Sequence, residues 1–243
     1  MTANHTTNAL GQAIGLPVTD FRAPLRPGRT PLEGRFCRLE PLSAERHAAA
    51  LFTANALDTS GRVWTYLPYG PFPSLDEYRA WVEPASRSDD PLFFAIVESM
   101  TGLAAGIASY LRIDPGVGSI EVGHIALSPR LQRTAAATEM VFLMMRWAFT
   151  AGYRRFEWKC DALNAPSRRA AQRFGLSFEG VFRQATIVKG RNRDTAWYAT
   201  IDREWPALES AYTRWLDPAN FGPGGEQRVS LASLTAGLLV ARG

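Results

Sequence analysis

The chain is poor in the residues that crosslink a fold or hold a metal. Its 243 residues include two cysteines, Cys37 and Cys160, and three scattered histidines, His5, His47 and His124. Two cysteines cannot build a disulfide framework, and with no Cys-x-x-Cys pair or Cys/His cluster no metal site is expected. No apolar run approaches the roughly 20 residues that a membrane-spanning helix needs. Nor does a positively charged start lead into an apolar stretch, so no secretory signal is expected. These absences point to a reducing, cytoplasmic setting with no membrane partner. What is present suits a packed domain: 46% of residues are hydrophobic and 21% charged, unlike a chain that stays disordered. The length suits one sizeable core with tails. The net charge of +4 fits an ordinary solvated surface, and equally a phosphate-rich ligand or nucleic acid.

Three segments emerge along the chain. Residues 1–33 carry Pro17, Pro24, Pro27 and Pro31, which disfavour helix and central strand. They read as an extended arm with one short edge strand near Ile14–Val18. Residues 34–216 read as the folded domain, and residues 217–243 as a Gly/Pro-rich bend followed by an apolar tail. Within the domain, a strand at 36–41 precedes a helix capped by Ser43. A second helix follows Ser74 and stops before Pro84. Strands at 93–97, 103–112 and 119–127 are separated by turn signals and form an antiparallel meander. The longest helical pattern runs from Arg133 to Ala151, with Gly152 placed to end it. Then come a strand at 155–160, a helix at 164–174 closed by Gly175, strands at 178–189 and 195–201, and a helix at 205–216. This order predicts an α/β (α+β) fold, a mixed and mostly antiparallel sheet with helices on both faces. Because a parallel strand is added after the meander, the sheet is expected to splay.

The stretch with most chemistry in it joins the third meander strand to the long helix. The first N–H groups of a helix lack intrahelical partners and sit at the positive end of its dipole, which suits an anion. Small side chains at Ala135, Ala136 and Ala137 would let a phosphate reach the backbone, although alanines also simply favour helix.

Gln132-x-x-Ala135-x-Ala137 resembles the cofactor-binding pattern of the GNAT acetyltransferases, Gln/Arg-x-x-Gly-x-Gly/Ala. Thr138-Glu139-Met140 resembles the extension of that pattern in the RimJ/RimL-like branch. Glu121-Val-Gly-His124 is similar to that branch's Glu-Ile-Gly-Tyr. Asn164-Ala-Pro-Ser167, followed by Gly175-Leu-Ser-Phe-Glu179-Gly180, is similar to its Asn-x-x-Ser and Gly-Phe-x-x-Glu-Gly. The resemblance spans roughly Leu32 to Asp202. It implies a splayed GNAT sheet, acetyl-CoA or another acyl-CoA as co-substrate, and no metal. The pantetheine would run along Ile125, Ala126 and Leu127. The pyrophosphate would meet the amides of Arg133, Thr134, Ala135, Ala136, Ala137 and Thr138 beside Gln132, with Asn164 and Ser167 facing the pantetheine or thioester sulfur.

The implied activity is transfer of the acyl group to a primary amine, on a small molecule or a protein N-terminus, by direct attack on the thioester. Such attack needs a base for the amine proton and a donor for the departing sulfur. Glu121 is the first candidate base, His124 the second, and Ser167 the candidate acid. The tyrosine that many relatives carry in the 164–174 helix is replaced by Ala171 and Gln172, and a carboxylate of RimL-like proteins falls at Thr186. Ala135 stands where the family has a glycine, and Arg133 replaces another. Alanine requires negative φ, so the chain is expected to be helical already at Ala135. These departures also admit a second reading, a non-catalytic relative that binds acyl-CoA or a partner.

Trp64, Tyr66, Tyr69 and Phe72, in a Pro-rich loop, are candidate acceptor-binding residues or an aromatic cluster beneath that loop. Arg183, Lys189, Arg191 and Arg193, around the last hairpin, are candidates for an acidic acceptor, RNA or a partner chain, or a solvated turn. No RNA-recognition motif accompanies them, so nucleic acid is not expected. The apolar tail and the arm are candidate covers of a homodimer interface.

Overall fold

The computed structural model describes residues 5–243. The arm, whose first four residues lie outside the described residues, opens with a hairpin of β1 (His5–Thr7) and β2 (Ala13–Gly15). The rest comprises β3 (Leu32–Glu33), β4 (Cys37–Pro41), α1 (Ala44–Asn55), α2 (Leu75–Arg87), β5 (Leu92–Glu98), β6 (Ala104–Asp114), β7 (Ser119–Leu127) and α3 (Ala135–Thr150). These are followed by β8 (Arg155–Asp161), α4 (Ala165–Arg173), β9 (Ser177–Val188), β10 (Arg191–Ile201), α5 (Trp205–Leu216) and α6 (Leu231–Thr235). Eight strands form one sheet in the order β3-β4-β5-β6-β7-β8-β10-β9. Its neighbours pair antiparallel except β7 and β8, which are parallel. The mixed sheet expected from element order is therefore the sheet observed. None of the described helices is long and apolar enough to cross a membrane.

The helices start where side chains satisfy their free amides. Ser43, Ser74, Thr134 and Asn164 each accept a hydrogen bond from the backbone three residues on, the usual N-cap arrangement. On one face of the sheet, α3 buries Met140, Val141, Met144 and Met145 against Ile120, Val122, Phe156 and Trp158. On the other, α1 and α2 cover Phe93, Ala95, Val97 and Ile107. That second layer reaches only as far as β6 and β7, so the sheet face over β8 and β10 lacks a helix.

Several boundaries differ from expectation. The short strand of the arm lies at Ala13–Gly15 and pairs with β1 rather than with the main sheet. Asn8 Oδ1 accepts from the amides of Leu10 and Gln12, and Gly11 takes φ 78°, which together close a tight turn. Pro17 supplies no N–H to prolong the strand. α2 continues through Pro84 to Arg87. The carbonyl that proline leaves without a donor belongs to solvent-exposed Ala80, so water satisfies it. β10 begins at Arg191, not Thr195, because Lys189 and Gly190 (φ 49° and 72°) make a two-residue turn between paired Val188 and Arg191. Two positive φ values in succession match the twist of a tight hairpin.

The C-terminal segment packs against its own chain. Leu231 lies in the α3 core, Thr235 Oγ1 donates to the Arg173 carbonyl, and the Phe178 amide donates to the Ala241 carbonyl. Part of the tail's apolar surface, Leu231 above all, is thus buried within the chain, while Val240 stays exposed. The arm is tied down likewise: the Tyr153 hydroxyl donates to the Leu25 carbonyl, and Arg26 pairs with Asp90.

Candidate active site

The sheet opens between β7 and β8. Their parallel pairing runs from Ser119–Arg155 to Val122–Trp158 and goes no further. β7 continues to Leu127 along β6, whereas β8 continues to Asp161 along β10. A bulge in β7 separates the paths: the register with β6 shifts between Ser109 and Ile107, and His124 takes φ 50°. Bulges bend one strand away from its neighbour in this manner. Gly123–Leu127, including the predicted Ile125, Ala126 and Leu127, therefore has no strand partner on the β8 side.

One end of the opening is the start of α3. Ala135 is its first residue, as its alanine side chain requires, and Thr134 Oγ1 caps the Ala137 amide at 3.2 Å. The amides of Ala135 and Ala136 then remain without intrahelical partners. Positive φ is needed at Arg133 (62°) and not at Ala135, so the family's glycine is missed at Arg133. Holding a non-glycine residue there costs about 1–2 kcal/mol. Gln132 Nε2 donates to the Leu127 carbonyl at 2.9 Å and ties the loop to the end of β7. Free amides, alanine side chains and an unpaired strand edge together fit a phosphate-bearing, amide-containing ligand laid along the opening.

Glu139, part of the same motif, does something the pattern does not reveal. It is buried, and its carboxylate accepts from the amides of Arg35 (2.8 Å), Phe36 (2.6 Å) and Cys37 (2.9 Å). A Cβ on Gly34 would lie 2.5 Å from Glu139 Oε2. The glutamate therefore fastens the start of β4 to α3.

Asn164 and Ser167 stand where β8 hands over to α4. Asn164 Oδ1 caps the Ser167 amide at 3.2 Å. Ser167 Oγ accepts from the Trp158 indole N–H at 2.9 Å. A hydroxyl that accepts one bond still has its own proton to give. Beside it, burial pushes the Cys160 thiol up, opposed by the neighbouring Ser167 hydroxyl and by the Arg193 charge. Trp158 is a contact that residue patterns did not supply, because it depends on how α4 folds back over β8 to bring Ser167 to the indole.

Glu121 and His124 project on the face opposite α3. Glu121 is buried, with Oε2 3.0 Å from Arg112 Nε and 3.1 Å from Lys159 Nζ. Burial raises its pKa, and the Lys159 and Arg112 charges oppose the rise. Lys159 also pairs with Glu157 at 2.7 Å and lies 3.5 Å from the centre of the Trp197 ring. This ion-pair line was not read from sequence, since alternation in β8 marks Glu157 and Lys159 only as the side away from α3. His124 stacks on Tyr69 (centroids 5.6 Å apart, 9° between planes) and lies 5.2 Å from Phe93. Burial lowers its pKa to about 4, helped by the charges of Arg193 and Arg112. The imidazole is therefore neutral at neutral pH, and its buried Nδ1 has no hydrogen-bond partner.

The aromatic loop divides between the two roles considered for it. Trp64 is buried against Tyr69, Phe72 and the Gly70 backbone, so its ring supports the loop and only its carbonyl is used outside, accepting from Lys189 Nζ at 2.8 Å. Tyr69 faces His124, and the Tyr66 hydroxyl donates to the Leu163 carbonyl at 3.3 Å. The loop thus bridges to the β9–β10 hairpin on one side and to the β8–α4 connection on the other. Thr186, on exposed β9, pairs with Arg193.

Residues 37–177 match the family described as Acetyltransferase (GNAT) domain. A GCN5-related N-acetyltransferase from Brucella melitensis is 46% identical, with a TM-score of 0.87 over 89% of this chain and 99% of that one. A probable GNAT-family acetyltransferase from Chromobacterium violaceum ATCC 12472 is 41% identical, with a TM-score of 0.75 over 81% of this chain and 98% of that one. An uncharacterized N-acetyltransferase, YnaD, of Bacillus subtilis (strain 168) is 26% identical over 60% of this chain and 85% of its own length.

Proposed function

Since the chain belongs to the GNAT acetyltransferase family, we propose that it moves an acetyl group from acetyl-CoA to a primary amine at the opening between β7 and β8, in the manner of the RimJ/RimL-like branch. The observation that carries this reading is the end of β7–β8 pairing at Val122–Trp158, with the α3 amides at one end and Ser167 at the other. Acetyl-CoA supplies an activated thioester, whose acyl carbon bonds to the amine nitrogen as the carbon–sulfur bond breaks. Ile125–Leu127 and the Ala135–Ala136 amides hold that co-substrate, with Arg133 beside them. The Ser167 hydroxyl, polarised by the Trp158 N–H, delivers a proton to sulfur. Glu121, its proton affinity raised by burial, takes the proton of the amine, and neutral His124 orients that amine. Both cysteines are free and buried, which supports a reducing, cytoplasmic setting.

Calorimetry with acetyl-CoA tests the first part. Binding is expected, and Arg133→Glu weakens it roughly tenfold by setting a negative charge against phosphate. Absence of binding in the wild type removes the reading. Glu121→Gln is expected to lower kcat about 100-fold with unchanged acetyl-CoA affinity. Full activity in that variant acquits Glu121 and leaves His124 as the base.

A further inference from the structure

The sheet face that holds Glu121 and His124 has hydrogen-bond donors with nothing to bond. Arg193 Nε and Trp197 Nε1 are both buried without a partner. Each is a donor and not an acceptor. Buried polar atoms in a folded protein are normally satisfied, so a cluster of orphans asks for a missing partner. Other cations nearby already have acceptors: Arg112 and Lys159 pair with Glu121, Lys159 with Glu157, and Arg155 with Glu157 and Glu179, while Lys189 donates to the Trp64 carbonyl and Arg168 to the Ala162 carbonyl and the Tyr198 hydroxyl. Among the described residues, no carboxylate stands within ion-pair reach of Arg193. Its charge is felt by His124 on β7 and by Cys160 on β8, the two strands between which the sheet opens. The missing partner is therefore an anionic acceptor group beside the reacting amine. A single guanidinium with a free buried donor suits a singly charged carboxylate better than a phosphate dianion.

The walls limit its size. The Lys189–Trp64 and Tyr66–Leu163 hydrogen bonds tie the aromatic loop to both flanks of the opening, and Tyr69 and Phe93 close on His124. Such a bridged, aromatic-sided site admits a small zwitterion more readily than the surface of a folded protein. Resting on the acyl-transfer reading above, we propose that the acceptor is a free amino acid, its carboxylate held by Arg193 and Trp197 and its amine directed to Glu121 and His124. The bond made is between amine nitrogen and acyl carbon, the bond broken is carbon–sulfur, and the amine's proton passes to Glu121 while sulfur takes one from Ser167, which solvent water reprotonates as Glu121 releases its own to solvent.

The test is steady-state acetylation of L-amino acids against their decarboxylated amines, phenylalanine with phenethylamine among them. A preference of roughly tenfold or more in kcat/KM for the carboxylate-bearing partner is expected, as befits charge-assisted hydrogen bonds. Arg193→Gln collapses that ratio toward one, chiefly through KM, and Arg193→Lys restores part of it by keeping the charge without the planar fork. A wild-type ratio at or below one overturns the proposal, as does a ratio that Arg193→Gln leaves intact. So does faster acetylation of a peptide N-terminus with no nearby carboxylate, or of an aminoalkyl phosphate. Calorimetric binding of phenylalanine to wild type and to Arg193→Gln is measured separately. Binding lost in the variant supports the carboxylate site even where no acetylation occurs, and no binding to the wild type overturns it. Failure of acetyl-CoA to bind, by contrast, overturns the acyl-transfer reading.

Discussion

Glu139→Ala is expected to lower the stability of the chain by about 3–5 kcal/mol, because it leaves three donors at the start of β4 without an acceptor. The carboxylate receives the amides of Arg35, Phe36 and Cys37, and the last of these bonds is fully buried. Water cannot enter to replace it, since Cys37 and Leu39 are sealed beneath α3. For a chain of this size the loss corresponds to a drop in Tm of about 10 °C. Glu139→Gln is expected to fall between the two, retaining one acceptor oxygen but turning an NH2 group toward a backbone donor. Thermal unfolding followed by circular dichroism measures both. A change in Tm below about 2 °C for Glu139→Ala would show that the anchor is dispensable. The residue is part of the cofactor motif by position, yet its contacts assign it to the assembly of the sheet edge.

The second large effect concerns Ser167. Ser167→Ala is expected to lower kcat about 100-fold, the usual scale for a missing proton donor, while acetyl-CoA affinity stays within about a factor of two. The geometric reason is the relay from Trp158 Nε1 through Ser167 Oγ, which leaves the serine proton as the one to be given away. Ser167→Thr keeps a hydroxyl and should recover most of the rate. Trp158→Phe should lose less than Ser167→Ala, because it removes the polarising bond and not the donor. A purely structural serine would behave otherwise: its loss would lower Tm and spare kcat at temperatures where the variant is folded. Stopped assays at saturating acetyl-CoA, read beside Tm, separate these outcomes.

How much of this was readable without a fold differs by feature. Element order was legible, because apolar periodicity and the caps at Ser43, Ser74, Thr134 and Asn164 are local properties of the chain. The parallel addition of β8 after an antiparallel meander was legible too, and with it the need for the sheet to open. Boundaries were lost where a local rule met a compensating environment. Pro84 did not end α2, since the carbonyl it orphaned faces water. Arg191–Arg193 looked like a turn, but Lys189 and Gly190 completed that turn in two residues.

The composition of this chain pointed to one packed domain, its element order to a mixed α/β sheet that must splay, and its small-residue motif to a helix start beside the opening. Those features depend on residues a few positions apart, which sequence displays. The tertiary structure alone decided that Glu139 is an anchor, that Trp158 reaches Ser167, that Lys159 and Arg112 counter Glu121, and that among the described residues no carboxylate pairs with Arg193. Each of those depends on how strands and helices pack against one another, and that arrangement arises only when separate segments gather around a common core.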